Sequence, residues 1–200
     1  MARGLPRDAA HAHGRGRGPP RGPRVGQRAG RRAGRPAGRR PGPADLAAIA
    51  ALDDELTALL VPAQIRAASL KMGRRVLEIA AQAFPSEGVV AYAEAVASGR
   101  CLGHYSIAFA LAGAGQGLDE ETLAEAYLYS TLTSLAYNAV RAIPLGQLAG
   151  QRVLATLRAR VPAAVVRSRT ADPRHFGAAA PALEIHQMRH EHQRARMFMS

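Results

Sequence analysis

From residue 45 onward, apolar residues recur three and four positions apart. The segment "DLAAIAALDDELTALL" sets Leu46, Ile49, Leu52, Leu56, Leu59 and Leu60 at helical spacing behind Asp45, a capping residue. Pro62 then opens "PAQIRAASLKMGRRVLEIAAQA" at the helix position where proline is tolerated. Ile65, Ser69, Met72, Val76 and Ile79 are predicted to line one side of this second helix, and "FPSEG" to end it. A shorter helix is predicted over Val89 to Ala97. After Gly99 and Gly103, "HYSIAFALAGAG" is apolar nearly all round, which predicts a helix buried in the middle of a bundle. Gly113, Gly115 and Gly117 mark its end. Asp119 is predicted to cap "EETLAEAYLYSTLTSLAYNAV", with Glu120 and Glu121 in the first turn, where the helix dipole favours acids. Pro144 interrupts, and "LGQLAGQRVLATLRARV" resumes as a helix. Pro162 to Phe176 reads as a loop, and Pro181 starts the last helix. The pattern predicts an all-α fold, a compact bundle of about seven helices with no strand.

Composition adds a division to this picture. The chain has 200 residues, enough for one ordinary domain. Its charge of +12 is unevenly placed. Residues 1–44 hold twelve arginines against one acid, whereas residues 45–200 hold fifteen basic and fourteen acidic residues. The first segment also carries ten glycines and seven prolines, with almost nothing to bury. It is expected to be a disordered, basic, low-complexity segment preceding an all-helical domain over 45–200. Charge alone would let it bind nucleic-acid phosphates, so a basic nucleic-acid-binding protein acting through residues 1–44 is the alternative function. No aromatic is interleaved there to stack on bases, and no specific nucleic-acid partner is expected. The segment is Arg-rich and acid-poor like a transit peptide, but its glycines and prolines deny it an amphipathic helix. The apolar stretch Tyr105 to Ala114 is too short to span a bilayer, and no membrane association is expected. The single cysteine, Cys101, excludes an internal disulfide framework and fits a reducing, cytoplasmic location.

Catalytic constellations are scarce. "GAGQG" follows a helical pattern, and its glycines suit a turn better than a nucleotide cradle. Cys101 and His104 are three apart; a core cysteine beside a helix start is the simpler reading than a nucleophile pair. Glu120, Glu121 and Glu125 belong on the wet face of a helix. In the closing "EIHQMRHEHQRARMFMS", His186 and His190 share a helix face but lack a third ligand, so no stable metal site and no bound cofactor are expected. The same segment carries an apolar stripe of Ile185, Met188, His192, Ala195 and Met199, flanked by Arg189, Arg194 and Arg196. Thioethers adapt to irregular surfaces and arginine makes bidentate bonds, which suits a partner interface as well as a packed helix.

Four segments together resemble the urease accessory protein F family. "AASLKMGRRVL" resembles its Ser-x-x-Met-Gly-Arg-Arg segment, and "GHYSIAFALAGAGQGLDEETLAEAYLYS" its central helices. "AVRAIPLGQLAGQRVL" resembles its Val-Arg-x-x-Pro-Leu-Gly-Gln segment, and "AAPALEIHQMRHEHQRARMF" its C-terminal signature. The resemblance covers about Asp45 to Ser200. It implies an all-helical, non-catalytic scaffold of urease maturation, homodimeric within a complex. The implied partners are a second urease accessory protein, a nickel-carrying GTPase and apo-urease, with nickel handled by the assembly. The resemblance also implies a C-terminal tail that becomes ordered against the second accessory protein. Carried over, the binding candidates are Lys71, Arg74 and Arg75, then Arg141, Gln147 and Arg152, then Arg189, His190, Glu191, Arg196 and Phe198. The tail departs from the family pattern at Arg194, where an aromatic is usual, and at Met199, where a basic residue is usual. Family members also carry helical sequence upstream, where residues 1–44 here have the composition of a GC-rich region read in another frame or from an unusual start. That replacement implies an exposed helix face where the family's segment packs.

Overall fold

Short polar residues and prolines set the helix starts of this chain. In the computed structural model the described residues are 43–143, 146–172, 174, 176–177 and 180–193. They fall within the second of two units, Met1–Gly34 and Arg35–Ser200. The expectations for residues 1–42, and for Arg194, Arg196, Phe198 and Met199, lie outside the described residues. Eight helices and no strand occur among those described: α1 Pro43–Leu59, α2 Ala63–Ala83, α3 Glu87–Ala97, α4 Tyr105–Gly115, α5 Glu120–Ala142, α6 Gly146–Arg158, α7 Val161–Thr170 and α8 Pro181–His190.

The fold is all-α, as the periodicity predicts. Asp119 caps α5 through the Thr122 amide, 2.9 Å away, and Glu120 and Glu121 occupy the first turn. The amide and hydroxyl of Thr122 hold the Asp119 carboxyl below its usual range. Ser86, the N-cap of α3, likewise accepts from the Val89 amide. Three local expectations need correction. Asp45 lies in the first turn of α1, not at its cap. The α2 stripe is rotated: Met72 and Ile79 are exposed, while Gly73, Leu77 and Ala80 face the core. The stretch read as a loop from Pro162 contains α7, which makes eight helices where about seven were expected. Pro162 sits in the first turn, where its missing N–H costs nothing, and Val161 and Val165 are buried four apart.

Two cores result. In the first, Leu77 and Ala80 of α2 meet Val89, Tyr92 and Ala95 of α3 and Ile107, Ala108 and Ala112 of α4. Helix α4 packs on α2, α3 and α5, the central place its all-round apolarity predicts. Burying each large aliphatic here contributes about 1.5–3 kcal/mol. Tyr105, Phe109 and Tyr127 stack with centroids 5.7–5.9 Å apart and join α4 to α5. In the second core, Ala136, Leu154, Val161 and Val165 close α5, α6 and α7 together.

Candidate functional site

A carboxylate stands on the core side of α1. Asp53 is fully buried between Ile49 and Leu56, two residues packed against the first core. Such a group is tolerated only when its oxygens are satisfied. Asp53 Oδ2 accepts from the Leu102 amide (2.6 Å), the Gly103 amide (3.0 Å) and Tyr92 Oη (2.9 Å). Its Oδ1 accepts from the His104 amide at 3.2 Å. Three successive N–H groups therefore converge on one side chain, and the turn entering α4 is tied to α1. Burial and the adjacent Asp53 charge push the Tyr92 phenol well above its usual range, so it stays a donor.

His104 extends the network. It is fully buried, and both ring nitrogens are engaged: Nε2 lies 2.8 Å from Thr57 Oγ1, and Nδ1 lies 3.0 Å from Ser69 Oγ. Thr57 donates its hydroxyl proton to the Asp53 carbonyl, 3.1 Å away, so its oxygen accepts from Nε2–H. Ser69 Oγ accepts from the Tyr105 amide at 3.3 Å and donates to Nδ1. The Thr57 bond places a proton on Nε2, and in the neutral ring Nδ1 is then the acceptor from Ser69. Burial agrees, because it pushes the His104 pKa down. No described buried side-chain nitrogen or oxygen lacks a partner.

Gly73 makes this junction possible from the α2 side. A Cβ at that position would lie 2.7 Å from both His104 C and Tyr105 N and would collide with the Gly103 carbonyl. The glycine within "KMGRR" is thus required by close backbone approach. Its neighbours Lys71, Arg74 and Arg75 project to solvent, and Arg75 pairs with Glu78 at 2.6 Å. That exposed pair contributes little to stability.

The Cys101–His104 nucleophile arrangement does not form. His104 commits both nitrogens to Thr57 and Ser69, and Cys101 is a buried core residue. Its thiol is pushed up, by burial first and by Asp53 second, which suppresses the reactive thiolate.

The remaining sequence candidates fall in two further places. Arg141 ends α5, and Gln147 and Arg152 lie on α6, all exposed. Ile143, two residues after Arg141, and Leu148, next to Gln147, are 51% and 67% exposed. On α8, Arg189 is exposed, whereas His190 and Glu191 are half-buried against α2. Glu191 Oε1 accepts from the Gln64 amide at 2.7 Å, and His190 Nδ1 donates to Gln64 Oε1 at 3.0 Å. His186 is exposed and does not share that contact. Groups of three or more metal-ligating side chains are absent among the described residues. None of the described helices is long and apolar enough to cross a membrane.

The sequence reading missed the Asp53–Tyr92–His104 network. The signal was present: Asp53 falls four residues after Ile49 and three before Leu56, on the apolar face of its helix. A carboxylate in that register needs buried donors, and the glycine-containing turn at Gly103 is where backbone N–H groups are free of a helix.

These features define a class: an all-α protein whose buried polar groups lock its own turn and in which Arg74, Arg75, Arg141, Arg152 and Arg189 lie on exposed helix faces. The sequence profile of the UreF family matches residues 28–158. The urease accessory protein UreF of Arthrobacter sp. (strain FB24) is 52% identical over 151 residues, 76% of this chain and 67% of that protein. UreF of Paenarthrobacter aurescens (strain TC1) is 50% identical over 149 residues, covering 74% and 67%. UreF of Bacillus sp. (strain TB-90) is 33% identical over 154 residues, covering 77% and 68%. The chain belongs to the UreF family of urease accessory proteins. It matches about two thirds of the length of these relatives, and the profile match begins within the segment set apart above as 1–44.

Proposed function

We propose that this chain is a non-catalytic scaffold of urease maturation in the cytoplasm. It binds a second urease accessory protein, recruits a nickel-carrying GTPase and brings both to apo-urease. Nickel is cargo of the assembly, and GTP chemistry belongs to the partner. The observation that carries the reading is the 52% identity to an urease accessory protein over 151 residues. The chemistry of the buried groups supports it: Cys101 is held as a thiol, and His104 is spent on Thr57 and Ser69.

Three surfaces serve the partners in this proposal. Lys71, Arg74 and Arg75 form the first, on α2. Arg141, Gln147 and Arg152 form the second, with the exposed Ile143 and Leu148 next to them in the chain; apolar and arginine residues mixed in this way suit a protein interface, here including the homodimer contact. Residues from Arg189 onward, with His190, Glu191, Arg196 and Phe198, form the third and dock on the second accessory protein. Co-purification with that protein and the GTPase, with and without residues Arg189 to Ser200, tests the assignment. Loss of both complexes on deletion is the expected result. Equal recovery from the two chains would refute docking through the tail.

A further inference from the structure

Helix α1 is attached to the first core unlike the helices beneath it. The closely packed pairs of that core join α2, α3 and α4, and α1 belongs to none of them. Among residues 45–59 only Asp53 is fully buried. The apolar contacts of α1 with the core come from Ile49, Ala50 and Leu56, all partly buried. Directed polar bonds therefore carry much of the attachment: four donors to Asp53, and the contact of Thr57 with His104. The link that follows, Leu60 and Val61, is held from α2 by Arg66, which donates to both carbonyls.

His104 sits between a loose wall and a tight one. Ser69, the partner of Nδ1, belongs to α2, where Gly73 brings the backbone against residues 103–105. That side cannot part without breaking the closest approach in the core. Thr57, the partner of Nε2, belongs to α1. A proton added at Nδ1 would set a donor against the Ser69 hydroxyl proton and leave a cation shut away from water. Two charged groups act on the ring: Asp53 of α1 favours the cation and Arg66 of α2 opposes it, while burial opposes it most. Around Asp53, Tyr92 of α3 and Cys101 of the turn are both held neutral, and α4 carries no charged residue. The imidazolium can reach water most easily by parting Thr57 from the ring.

We propose that the His104–Thr57 contact is an acid-operated latch: protonation of the buried imidazole releases α1 from the first core while α2, α3 and α4 stay packed. The core face beneath Ile49, Ala50 and Leu56 is then uncovered in weak acid and covered at neutral pH. This device is independent of the function proposed above.

Amide hydrogen exchange of the full-length chain between about pH 7.5 and about pH 5 tests it, with rates corrected for intrinsic exchange. Amides inside α1 are expected to be less protected than those inside α2 and α4 throughout. Their protection is expected to fall up to about tenfold per pH unit below about pH 6.5, because the opened form takes up the proton first. The fall should level off where the folded His104 ring itself titrates, followed by NMR. In His104→Gln, which stays neutral and keeps a donor and an acceptor, α1 protection should not depend on pH. A single protection level shared by α1, α2 and α4 would overturn the latch, because α1 would then open only with the whole core. So would α1 protection that is constant with pH, or that falls equally in His104→Gln. If His104→Gln does not fold, a fall in the wild type that continues past the titration of the folded ring overturns it.

Discussion

Replacing Asp53 by asparagine tests the junction at its centre. The carboxylate serves four donors: Tyr92 Oη and the amides of Leu102, Gly103 and His104. An asparagine with its oxygen at the Oδ2 position keeps three of them, but turns its NH2 group toward the His104 amide. A buried donor then faces a donor, at about 1–3 kcal/mol. The three remaining bonds change from charge-assisted to neutral, each losing about 1 kcal/mol. Relief from burying a charge offsets part of this sum. The net expectation is a loss of about 2–4 kcal/mol, with Tyr92→Phe losing about 1 kcal/mol and the exposed Asp54→Asn near zero. Equilibrium urea unfolding of the four proteins reads these values. An Asp53→Asn chain within about 0.5 kcal/mol of wild type would refute the claim that this carboxylate organises the turn.

Gly73→Ala sets two effects against each other: alanine gains about 1 kcal/mol in helix propensity, but its Cβ meets the backbone of residues 103–105. Destabilisation by about 1–3 kcal/mol in thermal or urea unfolding is expected, and stabilisation would show that the close approach is not real. The depressed pKa of His104 gives a pH dependence. Its contribution is complete above pH about 6.5, where folded and unfolded forms are both neutral; below that the unfolded chain takes up the proton first. Stability therefore falls toward acid by about 1.4 kcal/mol per pH unit until the folded pKa is reached. This slope should be smaller in His104→Gln, and an equal slope in both proteins would remove His104 as its source. Cys101→Ser should lower stability by about 1 kcal/mol while preserving urease maturation in a reconstituted assay; loss of maturation with the fold intact would revive a nucleophilic role.

Elements with a strong local signal were legible in the sequence. The Asp119 cap, the all-round apolar α4 and the proline start of α8 each follow from one or two residues, whereas α7, with Pro162 in its first turn, reads as loop in the sequence. What the sequence hid was nonlocal. The buried side of α2 turns on Gly73, whose fit depends on a turn thirty residues away, so Met72 and Ile79 looked like core and are exposed. The donors to Asp53 come from two distant segments, α3 and the turn at residues 102–104, which local periodicity does not reveal. In α8, apolarity suggested packing by Ile185 and Met188, whereas the helix packs by Glu184, Gln187, His190 and Glu191. Two hydrogen bonds join the end of this helix to Gln64, a relation of residues over 120 positions apart.

The central claim is that this chain serves urease maturation through its surfaces. The most direct measurement is the nickel content and activity of urease produced with the remaining maturation proteins, with and without this chain. The account predicts nickel-poor, inactive urease in its absence and recovery when it is supplied, undiminished by Cys101→Ser. Urease that loads nickel equally well without the chain would contradict it.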